Sequence, residues 1–215
     1  MGSYLMLLNN FKLCFWDFDG VIKDSVEIKT QAYFSLFKTF GLNVADRVRK
    51  HHILNGGISR FDKLPIYLEW AGIEPREKIV NEYCENFSKL VLQGVINSPW
   101  VPGVETYLRN NYHKQIFVLV SATPQDELEY ILEALDLAKC FSKVFGAPMF
   151  KQKAIYKTIQ DLNLEPSECL MIGDAREDLN AASANQVAFL LRRHKTNTET
   201  FKSYFGPSVG DFVQL

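Results

Sequence analysis

Five short apolar runs, each ending in polar residues, constrain this chain more than any other feature. They lie at 13–17, 116–120 ("IFVLV"), 143–145, 169–172 ("CLMI") and 187–191 ("VAFLL"). Unbroken apolar runs of this length suit parallel strands covered on both faces, where no polar alternation is needed. Between them, at 104–110, 125–138, 154–162 and 178–185, apolar residues recur at helical spacing. Strand and helix in alternation predict an α/β fold: a doubly wound parallel sheet of the Rossmann-like type.

The alternation breaks once. The segment 25–97 holds no strand pattern but three helical ones. Asp24 or Ser25 can cap a helix whose apolar face includes Val26, Tyr33, Leu36, Phe37 and Phe40, ending at Gly41. Ser59 opens a Ser-x-x-Asp pattern before a second helix to about Ala71, which Pro65 is expected to bend. Pro75 fits the first position of a third, to about Leu92. A stiff stretch, "SPWVPG", then returns the chain to the alternating pattern. The expected organisation is an α/β core from 1–24 and 98–215, with an all-helical cap, 25–97, inserted after the first strand.

In open α/β sheets ligands bind beyond the carboxyl ends of the strands. There the first run delivers Asp17 and Asp19, the second Ser121-Ala122-Thr123, and the fourth Gly173-Asp174 with Asp178 four residues on. Lys153 opens the helix before the fourth. Crowded carboxylates are costly unless a cation sits among them. A set with oxygen donors and no His or Cys nearby favours Mg²⁺ over zinc. The chemistry that fits is phosphoryl transfer. Asp17 would attack phosphorus, and Asp19 would protonate the leaving oxygen and later deprotonate water. Lys153 and Mg²⁺ would neutralise charge, while Ser121 and the neighbouring backbone N–H groups, around Ala122, would hold phosphoryl oxygens. Gly20 would let the backbone approach the ligand closely.

These residues resemble a known family. "DFDGV", "LVSATP", a lysine and "MIGDAREDLNAA" are similar, in order and spacing, to the four motifs of the haloacid dehalogenase-like superfamily, and the likeness covers nearly the whole chain. The position of the cap and "DGVIKDS" resemble the branch of phosphoglycolate phosphatase and β-phosphoglucomutase. The resemblance implies that Asp17 is the nucleophile and Asp19 the general acid/base. It implies that Asp17, the backbone carbonyl of Asp19 and Asp174 bind Mg²⁺, with Asp178 supporting that shell or orienting the lysine. It gives Ser121 and Lys153 to the phosphate. Lys153, twenty-one residues before Asp174, fits the pattern better than Lys151, its rival. In the cap, "HHILNGGISRF" resembles a substrate-specificity loop, where Arg60 would pair with a substrate carboxylate or second phosphate. The run Arg192-Arg193-His194-Lys195 reads as a solvated loop.

The function expected is Mg²⁺-dependent hydrolysis of a small phosphomonoester, of the phosphoglycolate or sugar phosphate type, through an aspartyl-phosphate. A phosphomutase and a non-catalytic phospho-acceptor module are the alternatives. Lys and Arg number 24 against 25 Asp and Glu, interspersed, so no basic stripe marks a nucleic-acid partner. No apolar run approaches the ~20 residues of a membrane span. The N-terminus has no basic region leading into an apolar block, so no leader is expected. Cys14, Cys84, Cys140 and Cys169 fit no metal spacing and read as reduced thiols of a cytoplasmic protein, a monomer or homodimer.

Overall fold

The structure, a computed structural model, describes residues 8–213; the expectation about a leader falls outside them. Six parallel strands form one sheet: β1 (Leu13–Trp16), β2 (Ile116–Pro124), β3 (Lys143–Ala147), β4 (Cys169–Gly173), β5 (Ala188–Arg192) and β6 (Ser208–Val209). Their order is β3-β2-β1-β4-β5-β6. The chain winds outward from β1 to β3, then crosses back to β4, so a crevice opens where the direction reverses. Trp16 stands level with Leu119 of β2 and Ile172 of β4, and the Asp17 N–H donates to the Ile172 carbonyl at 3.0 Å. β1 and β4 therefore finish side by side, while β2 runs past them to Pro124 and carries residues 121–123 beyond the end of β1.

Side chains leave β1 alternately. Leu13 and Phe15 pack with Val118, Met171 and Ile155 on one face, and Cys14 and Trp16 with Phe117 and Leu108 on the other. Both faces are buried, which is why the run needs no polar alternation. Fully burying a side chain as large as Phe15 stabilises by roughly 1.5–3 kcal/mol, so this strand is strongly fixed. Helices α5 (Val104–Asn111) and α6 (Gln125–Ala134) cover one face, and α7 (Lys151–Leu162) and α8 (Arg176–Ala184) the other.

Between β1 and α5 lie α1 (Val26–Phe37), α2 (Leu42–Leu54), α3 (Arg60–Trp70) and α4 (Glu77–Asn97), four helices where the sequence shows three. α1 buries Thr30, Tyr33 and Phe37, and α4 buries Cys84, Phe87, Val91 and Val95, both at helical spacing. α2 buries only Ala45, Val48 and His52, and Gly41 before it supplies no capping side chain. So thin a stripe with no cap leaves no sequence signal. α4 starts at Glu77 rather than Pro75, and α3 runs on through Pro65. Ser59 caps α3 as expected, accepting the Phe61 N–H at 3.3 Å. Ser25 precedes α1 but makes no cap bond, because its hydroxyl goes elsewhere.

Candidate active site

β1 delivers Asp17 at its end, and a tight turn closed by Gly20 N–H to the Lys23 carbonyl (2.7 Å) carries Asp19 past the edge. Gly20 has φ +77°, and a Cβ there would meet the Asp174 carboxylate. The expectation that Gly20 clears space for ligand is thus corrected: the space is filled by Asp174. β4 and the first turn of α8 supply Asp174 and Asp178. Asp178 Oδ2 reaches back to accept the N–H groups of Asp174 (3.2 Å) and Ala175 (3.0 Å), locking that turn. Carboxylate oxygens of Asp17, Asp174 and Asp178 lie within 4.8 Å of one another, all three residues buried.

The lysine in this cluster is Lys151. Its Nζ sits 2.8 Å from Asp17 Oδ1 and 2.6 Å from Asp178 Oδ1. Lys153 is exposed. α7 begins at Lys151, three residues before the sequence pattern indicates, and its N-cap, Phe150, offers no capping side chain that would reveal this start. Two residues along a helix turn the side chain by about 200°, so only one of the two lysines can face the acids.

Asp19 points differently from Asp17. It accepts from Ser25 Oγ (2.6 Å) and Thr123 Oγ1 (3.2 Å) and pairs with Lys29, which comes from α1 and also donates to Thr123 (2.8 Å). Lys29 had no sequence signal beyond its place in a helical pattern. Ser121 is buried, its Oγ accepting the Thr123 N–H at 3.2 Å, and it lines the cleft with Ala122. The environments split the two leading acids. Burial, then the nearby Asp178, pushes Asp17 up to about 7 despite Lys151. Burial would raise Asp19 too, but Lys29, Ser25 and Thr123 outweigh it and hold Asp19 below the usual carboxylate range. Asp174 and Asp178 are raised, mainly by burial.

The loop after β5 is also part of the site, not a solvated run. Arg192 is buried. His194 Nε2 lies 2.7 Å from Asp174 Oδ2, with its Nδ1 at 2.7 Å from Thr196 Oγ1. Asn197 Nδ2 donates to the Asp174 carbonyl at 3.0 Å. The expectation of no histidine near the acids is corrected, since a spacing of 20 residues from Asp174 hid the contact.

Arg60 is corrected as well. Its guanidinium is buried and takes Glu127 of α6 with both terminal nitrogens (2.9 and 2.8 Å), plus Ser88 Oγ at 2.5 Å. Its ion pair is thus made inside the protein, to Glu127, although Arg60 still lines the cleft. The inserted helices also line the cleft with Lys29, Tyr33, Lys63 and Phe87, and the segment 52–58, which contains Gly56 and Gly57, borders it as well. Lys63 Nζ lies 3.0 Å from His52 Nδ1 and donates to the Asn55 carbonyl at 3.2 Å. Burial, then Lys29, pushes Lys63 down to about 7, and burial, then Lys63, holds His52 well below its ordinary value.

A metal would find oxygen donors here: Asp17 retains Oδ2, and Asp174 retains Oδ1, outside the hydrogen bonds and ion pairs described. Asp178 has both oxygens engaged. The raised values of three buried acids mark the cost of leaving them without a further cation. No helix among the described residues is long and apolar enough to cross a membrane.

The sequence model of the family described as haloacid dehalogenase-like hydrolase matches residues 14–191. The chain is similar to the phosphoglycolate phosphatase of Aquifex aeolicus, 26% identical over 179 residues, which cover 79% of each chain. The enzyme of the same name from Photorhabdus laumondii is 25% identical over 185 residues, 83% of this chain and 78% of its own. Among solved structures, β-phosphoglucomutase of Clostridium difficile superposes with a TM-score of 0.75 at 20% identity, covering 95% of this chain and 93% of that one. This last likeness is one of fold.

Proposed function

The chain belongs to the haloacid dehalogenase-like hydrolase family, and from that premise we propose that it is a Mg²⁺-dependent phosphatase of small phosphomonoesters, working through an aspartyl-phosphate. The observation that carries the reading is Lys151 held between Asp17 and Asp178 while Asp19, two residues from Asp17, is held apart by Lys29, Ser25 and Thr123. One carboxylate can attack while the other handles a proton.

Lys151 fixes Asp17 Oδ1 and lowers the charge repulsion between an anionic ester and an anionic nucleophile. Asp17 attacks phosphorus as the ester P–O bond breaks, and the leaving oxygen takes its proton from Asp19, which must first be protonated against the hold of Lys29, Ser25 and Thr123. Asp19 then draws a proton from the water that cleaves the acyl phosphate, and inorganic phosphate leaves. Ser121 and the backbone N–H groups around Ala122 steady the phosphoryl oxygens. Asp17, Asp174 and the backbone carbonyl of Asp19 would hold Mg²⁺, with Asp178 holding Lys151 in place. Bound there, Mg²⁺ would neutralise the phosphoryl charge.

The helical segment 25–97 serves as the cap and 1–24 with 98–215 as the catalytic core; closure excludes water from the acids. The relatives' names support phosphoglycolate as a first candidate substrate. A phosphomutase would need a second phosphate site in the cap, and Arg60, the residue expected for it, is taken by Glu127. The four free cysteines support a cytoplasmic location. The test is phosphate release from p-nitrophenyl phosphate: it should require Mg²⁺ and stop in excess chelator. Activity that persists undiminished there refutes the metal-dependent mechanism.

A further inference from the structure

Asp174 is tied down from several sides, and one oxygen of its carboxylate is left over. Its backbone N–H donates to Asp178 Oδ2 at 3.2 Å. Its carbonyl accepts from Asn197 Nδ2 at 3.0 Å. Its side-chain Oδ2 meets His194 Nε2 at 2.7 Å, and lies where a Cβ on Gly20 would stand. Oδ1 has no hydrogen bond or ion pair among the described residues.

Two of these contacts come from the loop after β5, and that loop braces itself. Asn197 is 5% exposed. Its Oδ1 accepts the His194 N–H at 3.0 Å, and its Nδ2 donates to the Arg192 carbonyl at 2.9 Å as well as to Asp174. The His194 backbone is therefore pinned beside the strand end. Its ring is pinned too, because Thr196 Oγ1 lies 2.7 Å from Nδ1. An ionised carboxylate can only accept, so the hydrogen facing Asp174 sits on Nε2. In the neutral ring Nδ1 then accepts from the Thr196 hydroxyl, which selects the tautomer that donates to Asp174. The His194 side chain is 10% exposed, so little water competes for these bonds. The χ2 torsion of an aspartate is broad and does not by itself choose which oxygen faces a ligand. His194 makes that choice: one oxygen is engaged, and the other stays free in the cluster with Asp17.

We propose that His194, backed by Thr196 and held by Asn197, is a positioning residue for the cation site: it occupies Asp174 Oδ2, so that Oδ1 is the atom offered to a divalent cation. The proposal rests on the metal site of the phosphatase reading and deepens it. His194 is not itself a ligand, since Nε2 is engaged by Asp174 and Nδ1 by Thr196. The donor set thus stays one of oxygens, suited to Mg²⁺, although a histidine stands in its wall.

The test uses Mn²⁺, a paramagnetic cation that takes the same kinds of oxygen donor as Mg²⁺. The intensity of the free Mn²⁺ EPR signal gives Kd without substrate for wild type, His194→Leu, His194→Gln and Thr196→Val, and displacement by Mg²⁺ extends the comparison. His194→Leu should weaken binding about 10–100-fold, the usual scale for losing the partner behind a metal ligand. His194→Gln keeps an N–H of similar reach and should recover part of the loss. Thr196→Val should fall between wild type and His194→Leu. Pulsed EPR of bound Mn²⁺ should show no directly coordinated nitrogen in wild type. Melting curves in metal-free buffer establish which variants are folded, and Thr196→Val, which removes one hydroxyl, carries the comparison if His194→Leu does not fold. Folded variants that bind Mn²⁺ as tightly as wild type, or a nitrogen coordinated to the ion, overturn the proposal and leave the phosphatase reading standing. A His194→Gln no better than His194→Leu reduces His194 to packing and overturns it as well. A wild type that binds no Mn²⁺ removes the cation site from the phosphatase reading, and this proposal with it.

Discussion

Glu127→Gln isolates what joins the inserted helix α3 to α6 of the sheet's covering layer. The Arg60 and Glu127 side chains are 3% and 7% exposed, one on α3 and the other on α6. The substitution keeps the shape and one acceptor but leaves the Arg60 charge buried without a counter-ion. Removing one partner of a buried pair costs about 3–5 kcal/mol. Ser88 Oγ and the new amide oxygen still accept from the guanidinium, so the lower end, ~3 kcal/mol, is expected. In a chain of this length each kcal/mol moves the melting temperature by about 2–4 °C, so Glu127→Gln should melt ~6–12 °C below wild type. Replacing both partners by apolar residues, Arg60→Met with Glu127→Leu, removes the desolvation penalty together with the attraction and should fall within about 1 kcal/mol of wild type. Calorimetric melting of wild type, single and double variants gives the comparison. A single variant within about 2 °C of wild type, or a double variant as damaged as the single, would show that the pair is not the buried clamp its geometry describes.

Asp17→Asn should abolish turnover, because an amide is a poor nucleophile, while melting at or above the wild-type temperature in metal-free buffer; near-native activity would remove Asp17 from the nucleophile role. Lys151→Met should lower kcat by about a hundredfold or more, whereas Lys153→Met, on the exposed side of α7, should stay within about twofold; steady-state kinetics of the pair decide between them. Lys63 ionises near 7 when folded against 10.5 for an unperturbed lysine, so the unfolded chain binds more protons between those values. Stability should therefore rise with pH from about 7 to 10.5 at this group and be flat below it. Lys63→Met should abolish that rise and stabilise the protein at pH 7 by at least ~1 kcal/mol, read from urea unfolding at several pH values; an unchanged slope would mean the amine is not desolvated. His52, also lowered, adds a loss of stability as pH falls through 6.5.

The sequence by itself determined the sheet, the inserted helical segment and four acids at or just beyond the ends of two strands. Those features are local: an apolar run of five residues, a period of 3.6, and an Asp placed at a fixed offset from a strand are written in neighbouring positions. Asp17, Asp19, Asp174 and Asp178 are each legible because strand ends in a parallel sheet must lie together once the strands are recognised. Only the tertiary structure decided which cations meet them. Lys151 rather than Lys153 depends on where α7 starts, and no capping side chain announces that start. Lys29 reaches Asp19 over 10 positions, Arg60 meets Glu127 over 67, and His194 finds Asp174 over 20. Helical and strand periodicity fix which side of an element a residue faces, but an ion pair needs a particular approach of two elements, and that approach is set by how whole faces pack.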